Sequence, residues 1–354
     1  MILGILGDGQ LAQMLGEAAR RLQISHLCLR TESITDLNLI KDFVTKITHL
    51  TFENEFIDTR LIQAAIDDTK RSVKIYPELK TIEVLQNKIG QKKLLNKLGI
   101  LNSPIQQDFS HMTQAELARS VFKWATFGYD GKGTLIAPKS QAELNLFLNE
   151  AKSKGTETYA EKKISFLKEL AIVGCRKLNG EFASYPLVIS VQKNGICDTV
   201  YGPATDFGIE KSLDTKAREI VRKIADELQY VGVLGVEFFL TENNELFVNE
   251  IAPRVHNSAH YSLLFKCSQF ENHVRAVADL NLGHAEPDQL FAMKNLIGVD
   301  PKKTRFVNEP GFYDYKKIEV RKGRKMGHVN FKGNGLNFKI FCEKLPAIQT
   351  DREG

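Results

Sequence analysis

Two carboxylates thirteen positions apart, Glu237 and Glu250, are the residues in this chain whose placement first suggests chemistry. They lie in the stretch GVLGVEFFLTENNELFVNEIAPRVHNS, Gly232 to Ser258. β-Branched and aromatic runs flank Asn243-Asn244, and two residues that tolerate positive φ suit a two-residue type I′ hairpin turn. With the turn centred there, Glu242 faces Glu245, Leu240 faces Phe247, and Glu237 faces Glu250. Directly opposed Cβ atoms lie roughly 4.5–5.5 Å apart, where like charges repel. A divalent cation relieves that repulsion. Mg²⁺ suits the pair, because it keeps one or two carboxylates and completes its shell with water and phosphate oxygens. Asn249 adds a neutral oxygen only if the strand ends or bulges there, since strict alternation turns it to the other face. The competing reading is a surface hairpin with two solvated acids. The donor-rich loop Ala252-Pro253-Arg254-Val255-His256-Asn257-Ser258, directly after the second acid, favours a site.

Three further stretches suit anions. Ile2–Leu6 feeds Gly7-Asp8-Gly9-Gln10-Leu11-Ala12, the strand, glycine turn and helix start of a dinucleotide-binding fingerprint. That fingerprint wants an acid at the end of the second strand, whereas Ser25–Arg30 ends in Arg30-Thr31 with Glu32 just beyond, so a nicotinamide dehydrogenase is a weak rival. Phe127-Gly128-Tyr129-Asp130-Gly131-Lys132-Gly133-Thr134 lies between two strands, and its amides can fold over phosphates with Lys123 and Lys132 as cations. An ordinary loose hairpin is the alternative. Lys316, Lys317, Arg321, Arg324 and Lys325 precede Gly327-His328-Val329-Asn330, either as a solvated charged face or as a clamp for a phosphate monoester. Glu53-Asn54-Glu55 follows a strand, where either ligand contact or helix capping places such residues.

The elements that must position these groups fall into three blocks, residues 1–87, 88–161 and 162–354. In the first, strands at Ile2–Leu6, Ser25–Arg30, Ile47–Phe52 and Val73–Ile75 alternate with helical patterns and predict a small parallel sheet. The second opens with a basic amphipathic helix, Lys88–Leu98, stopped by Gly99. Its strands are expected at Ser120–Ala125, Leu135–Ala137 and Thr158–Glu161. The third has an antiparallel pair, Glu169–Arg176 with Phe182–Val188, turning at Asn179-Gly180, then a helix at Ile220–Leu228 against the hairpin. The fold class is α/β followed by α+β.

At 354 residues the chain can bury several cores. Lys and Arg number 48 against 43 Asp and Glu, without a long basic block, so nucleic-acid binding gains little support. No apolar run reaches the ~18–20 residues of a membrane span. Cys28, Cys175, Cys197, Cys267 and Cys342 are odd in number and lack a CxxC pair, which reads as buried apolar residues in a reducing, cytoplasmic protein.

The motifs GILGDGQL, FGYDGKGT, YVGVLGVEFF, VNEIAPRVHNSAH and GRKMGHVN, in this order, resemble the 5-(carboxyamino)imidazole ribonucleotide synthase family of ATP-grasp carbon–nitrogen ligases. The resemblance runs from Ile2 to about Asn330, and its last two motifs distinguish it from the formate- and glycine-using purine ligases that share the hairpin. It implies an ATP-grasp fold behind a Rossmann-like, biotin-carboxylase-N-like domain. It implies coupling of ATP and bicarbonate to 5-aminoimidazole ribonucleotide through carboxyphosphate, in purine biosynthesis, by a homodimer. Glu237, Glu250 and Asn249 would then hold Mg²⁺, with Mn²⁺ as an alternative. ATP would meet Lys88, Lys123, the loop residues Gly128, Tyr129, Asp130, Gly131, Lys132 and Gly133, the adenine hinge Glu161, Lys162, Lys163 and Ile164, together with Glu169, Gln192, Asn249 and Glu250. Catalytic roles would fall to Asp130, Lys132, Arg254, His256 and Asn257, with His256 acting as proton acceptor, acid or simple donor. Gln10, Tyr129, Arg324 and Lys325 would bind the ribonucleotide. Two positions depart from the family pattern. Phe127 replaces a glycine before GYDG, and Ala259 replaces the glycine of HNSGH, requiring negative φ or strain there.

Overall fold

In the computed structural model, which describes residues 1–109, 111–128 and 130–334, three sheets follow one another along the chain. Tyr129 and Cys342 lie outside the described residues. The first sheet is parallel, ordered β2-β1-β3-β4, from β1 (Ile2–Leu6), β2 (Ser25–Leu29), β3 (His49–Phe52) and β4 (Lys74–Ile75). Alternation along β1 divides its side chains between two cores. Leu6 joins Ile40, Phe43 and Ile62 of helices α2 (Leu37–Thr45) and α3 (Thr59–Thr69), which Asp36 and Asp58 cap through N–H groups of their first turns. Leu3 and Ile5 join Met14 and Leu15 of α1 (Gln10–Arg21) and extend into the core of the large sheet.

After α4 (Leu79–Leu85) and α5 (Lys88–Lys97) comes a small antiparallel sheet, ordered β5-β8-β6-β7. Its strands are β5 (Ile105–Gln106), β6 (Ser120–Trp124), β7 (Thr134–Ile136) and β8 (Thr158–Lys162). Phe122, Leu144 and Ala160 centre its core, covered by α6 (Gln114–Leu117) and α7 (Gln141–Ser153). Helix α5 straddles the join. Its Leu94 and Leu95 pack into the core of the large sheet, whereas Ile89 packs with Ala125 and Tyr159 of the small one.

The large sheet is antiparallel and, among the described residues, nine-stranded. It comprises β9 (Lys168–Arg176), β10 (Phe182–Ser184), β11 (Val188–Lys193), β12 (Ile196–Gly202), β13 (Gly232–Leu240), β14 (Leu246–Ala252), β15 (Leu290–Ile297), β16 (Phe312–Asp314) and β17 (Lys325–Gly333). Its order is β14-β13-β9-β11-β12-β15-β17-β16, with β10 beside β9. Helix α8 (Lys211–Glu227) lays Leu213, Ala217, Val221 and Ile224 on one face. Helix α9 (Gln269–Val277) lies on the other with a 3₁₀ segment, Asn257–Leu264.

Several sequence expectations need correction. Helix α8 begins at Lys211 rather than Ile220, because Leu213 and Ala217 continue its apolar stripe. The strand expected at Phe182–Val188 is broken at Pro186, which lacks a ladder donor, into β10 and β11. Cys28 is exposed, because β2 is an edge strand, while Cys175, Cys197 and Cys267 are buried. The hairpin turn has three residues rather than two. Asn244 N–H donates to the Thr241 carbonyl and Thr241 N–H to the Glu245 carbonyl, and only Asn244 has positive φ. Leu240 therefore pairs with Leu246 instead of Phe247. A bulge between Phe238 and Glu237 then inserts Asn249 as the extra residue and restores the pair Glu237 with Glu250. Among the described residues, no helix is long and apolar enough to cross a membrane.

The first and third sheets are pinned together by His273 of α9. Val233 N–H donates to its Nδ1 at 3.1 Å, so Nε2 carries the proton and donates to Thr51 Oγ1 of β3 at 2.7 Å. Burial holds this imidazole neutral, with its pKa pushed down from 6.5 to about 4. The unfolded chain binds more protons between those values, so this share of stability is intact above pH 6.5 and is lost as the pH falls toward 4. His273→Leu orphans two buried partners, each costing about 1–3 kcal/mol. The variant should melt at lower temperature at pH 7, and its stability should fall less steeply than that of the parent between pH 6.5 and 4, as read by thermal melts across that range.

Candidate active site

Helix α5 and strand β6, from different parts of the chain, bring lysines to Glu250 and its neighbour Asn249. Asn87 caps α5 by accepting from Ile89 and Gly90 N–H, and Lys88 N–H is anchored on the Ala125 carbonyl at 2.7 Å. This aims Lys88 Nζ at Glu250 Oε2, 2.8 Å away. From β6, Lys123 Nζ donates to Asn249 Oδ1 at 3.0 Å and pairs with Glu161 of β8. One turn beyond Lys88, the buried Lys92 reaches the same Glu161 at 3.1 Å. The bulge at Asn249 delivers its amide to Lys123, beside the acids.

Charge in this cluster is unevenly held. Burial, then the charges of Glu250 and Glu169, pushes Glu237 up to about 7. Burial also opposes the Glu250 charge, but the bonded Lys88, helped by Lys123, outweighs it and keeps that carboxyl below its ordinary value. Glu169, which pairs across β9 with Phe239 and Ser190, is raised by burial to about 7. Gln192 donates to Ser190 Oγ at 3.0 Å, on the strand beside Glu169. Among the described residues no group of three or more acidic, His or Cys side chains forms a metal cluster. Two carboxylates, a bulged amide oxygen and an excess of acid charge fit a cation that takes its other ligands from water and phosphate, as Mg²⁺ does.

The loop after β14 forms one wall. Arg254 grips Glu55 through Nε at 2.5 Å and Nη2 at 3.2 Å, a bidentate pair joining the large sheet to the first domain. His256 Nδ1 lies 2.7 Å from Ser258 Oγ and accepts from Ser258 N–H, so its proton sits on Nε2, 3.5 Å from Glu237 Oε1. Burial, then Arg254 and Lys325, pushes its pKa down to about 3. Of the roles that the sequence leaves open to His256, base, acid or simple donor, this tautomer favours the neutral donor. Asn257 exchanges hydrogen bonds with Asn295 of β15, at 2.7 and 3.2 Å. Ala259 has φ of −117°, so the missing glycine costs no strain.

The glycine loop lies across the opposite side. Phe127 holds a positive φ of 64°, the conformation that favours glycine, and its ring meets Phe56 at 5.6 Å. Asp130 pairs with Lys325 at 2.6 Å. Gly131 rests on Gly195 at the β11–β12 turn, so closely that a Cβ on Gly195 would lie 2.9 Å from the Gly131 Cα. Gly128 is buried beneath the loop, and Gly133 packs on the Trp124 ring, while Lys132 is exposed. At the hinge, Lys162 N–H donates to the Pro104 carbonyl, Lys163 N–H donates to the Arg119 carbonyl and the Lys162 carbonyl accepts from Ser103, so these three backbone groups are already engaged. The side chains of Lys162 and Lys163 are exposed, and Ile164 is half-buried.

At the far end, Lys317 rather than Lys316 turns inward, donating to Gln10 Oε1 and to the Lys325 carbonyl, both at 2.7 Å. Burial, Arg324 and Lys325 push its pKa down to about 8, the mark of a cation crowded by cations. Arg324 donates to the Glu319 carbonyl at 3.1 Å. The first glycine turn is already filled. Glu53 accepts from Gly9 N–H at 2.7 Å and Leu11 N–H at 3.3 Å, and a Cβ at Gly7 or Gly9 would collide with it. These amides serve a carboxylate of the protein, which removes the basis for a dinucleotide pyrophosphate there.

Sequence reasoning missed Lys92 and the partnership of Glu55 with Arg254, and left Lys317 undecided. Lys92 had a legible signal, its i,i+4 spacing from Lys88 on one helix face.

Residues 101–270 match the ATP-grasp domain, and residues 292–337 the phosphoribosylaminoimidazole carboxylase C-terminal domain. N5-carboxyaminoimidazole ribonucleotide synthase of Bacillus subtilis is 33% identical over 93% of this chain and 91% of its own length. Carboxyaminoimidazole ribonucleotide synthase of Aspergillus clavatus complexed with ATP superposes with a TM-score of 0.84 at 31% identity, over 99% of this chain and 98% of the other. The same fungal enzyme with ADP and 5-aminoimidazole ribonucleotide gives 0.83 at 30% identity, over 100% and 99%. The chain spans only about two thirds of the length of the fungal phosphoribosylaminoimidazole carboxylases it also matches.

Glu237→Gln removes the repulsion within the acid pair. Without nucleotide at pH 8 it should melt about 1–3 °C higher, the order expected of ~1 kcal/mol in a chain this long. It should also lose the Mg²⁺-dependent part of its stabilisation by ATP; an unchanged Mg²⁺ response in differential scanning calorimetry would count against Glu237 as a ligand.

Proposed function

This chain belongs to the N5-carboxyaminoimidazole ribonucleotide synthase family and performs the ATP-dependent carboxylation of 5-aminoimidazole ribonucleotide in purine biosynthesis, and from that premise we propose how its residues do so. The carbon source is bicarbonate, a poor electrophile. Its oxygen attacks the γ-phosphorus of ATP, ADP leaves, and carboxyphosphate forms. The substrate amine then attacks the carboxyl carbon, and phosphate departs. The first step is phosphoryl transfer, which the protein serves by positioning groups and neutralising charge.

The observation that carries this reading is the convergence of Lys88 and Lys123, from separate elements, on Glu250, Asn249 and Glu161. Glu237, Glu250 and Asn249 would hold Mg²⁺, or Mn²⁺, whose chemistry there is neutralisation of the ATP phosphates. Lys88 and Lys123 would exchange their present carboxylate and amide partners for phosphate oxygens, while the Gly128 to Gly133 loop excludes water from the labile intermediate. The base would be read by the hinge at Glu161 to Ile164, with Glu169 on the ribose and Gln192 beside it. Arg254, held by Glu55, and His256, donating from Nε2, would orient bicarbonate and carboxyphosphate together with Asn257. Tyr129, Asp130 and Lys132 would meet the aminoimidazole. Gln10, Lys317, Arg324 and Lys325 would clamp the ribonucleotide phosphate, supported by the crowding of three cations around one small space. The homodimer and the cytoplasmic setting belong to this proposal as well.

ADP release measured with Mg·ATP and bicarbonate should depend strongly on 5-aminoimidazole ribonucleotide; release that ignores it would mean another acceptor. Glu250→Ala should abolish that release while the protein still melts cooperatively. Lys317→Met should raise KM for the ribonucleotide on the order of ten- to a hundredfold, the loss of one charged hydrogen bond, with KM for ATP unmoved.

A further inference from the structure

Behind the wall formed by His256 and Asn257, the core holds three polar atoms, His260 Nε2, His328 Nε2 and Asn330 Oδ1, that find no hydrogen-bond partner among the described residues. Both histidines are fully buried and Asn330 is 4% exposed. The two imidazole centroids lie 5.1 Å apart. His328 and Asn330 alternate along β17 and so share a face, and Asn330 Nδ2 donates to the His260 carbonyl at 2.9 Å.

Their neighbours fix where the protons are. Gln269 exchanges two hydrogen bonds with the backbone of His256, Oε1 accepting from its N–H at 2.8 Å and Nε2 donating to its carbonyl at 2.7 Å. Its 3.2 Å contact with His260 Nδ1 is then a donation, which places the His260 proton on Nε2. The Tyr315 hydroxyl, 2.9 Å from His328 Nδ1, finds no other acceptor among the described residues, so it donates there and the His328 proton is also on Nε2. Asn330 is oriented by its own donation, leaving Oδ1 as an acceptor.

Two N–H donors and one carbonyl acceptor select their ligand by chemistry. A metal ion finds no lone pair on either Nε2, and an anion meets the Asn330 oxygen. The imidazoles cannot bond one another, since both are donors. Water accepts two hydrogen bonds and donates one, the three bonds typical of a buried water. We infer that one ordered water joins His260, His328 and Asn330, and that it positions the Asn257–Leu264 segment against β17. Burial suits the arrangement, pushing His328 down to about 3 and His260 far below its ordinary value, so both rings stay neutral. The water would thereby fix the distance between the segment carrying Asn257 and the strand that opens with Lys325. That positioning role rests on the reaction proposed above, whereas the water itself does not.

A crystal structure of the full chain should show one solvent peak about 2.7–3.2 Å from all three atoms. ¹⁵N spectra should show both rings as neutral Nε2–H tautomers from pH 5 to 8. A direct contact between the rings, a metal peak, or an Nδ1–H tautomer on either would overturn the site. His328→Phe removes one donor and leaves the bond from Asn330 to the His260 carbonyl intact. It should lose the peak and raise KM for the ribonucleotide several-fold with KM for ATP unchanged; loss of the peak with neither constant moved would overturn the positioning role alone. If this variant does not fold, Asn330→Leu removes the acceptor together with the bond to the His260 carbonyl, and is read by loss of the solvent peak alone.

Discussion

The site depends on the repulsion between Glu237 and Glu250. Two acids on adjacent strands of a half-buried hairpin are unfavourable unless cations meet them, and the protein recruits those cations from outside the large sheet. Lys88 arrives on α5, at the join of two cores, and Lys123 arrives on the small sheet. The packing of α5 and the small sheet on the large one thus serves charge as well as apolar burial, because it brings Lys88 to Glu250 and Lys123 to Asn249. The same constraint explains why Glu161 is tolerated at 5% exposure. It lies between Lys92 and Lys123, and their charges hold its carboxyl below its ordinary range although burial works against it.

The hairpin illustrates how far sequence reasoning reached. Its acids, their cross-strand pairing and the need for a bulge at Asn249 were legible, because alternation and turn chemistry are local. The register near the turn was misread by one residue. A three-residue turn displaces the strands one way and the bulge displaces them back, so two opposite offsets cancel at Glu237. A fully regular ladder would have given the same pair of acids but would have turned Asn249 away from them. Lys92 could have been found from its spacing to Lys88.

Other features could not be read locally. Glu55 and Arg254 are separated by 199 positions and meet only because the first domain packs against the loop after β14. The protonation role of His256 stayed open, because the burial that chiefly holds it neutral, with the Arg254 and Lys325 charges, comes from the packed structure. Phe127 holds the positive φ that favours glycine, a conformation that its side chain argued against. Residues at active-site loops commonly hold such conformations at a cost of order 1–3 kcal/mol.

The carboxylate of Glu53 gives the glycine-rich first turn a different history from the one its pattern advertises. In a nucleotide-binding domain, small residues at such a turn admit a visiting pyrophosphate. Here they admit a resident side chain from the neighbouring strand, and the helix end is neutralised permanently. Gly7, Gly9 and Glu53 therefore form one unit: a larger residue at either glycine evicts the acid, and loss of the acid uncovers a cradle for soluble anions. A motif that reads as an open berth is, in this chain, a berth with its occupant built in.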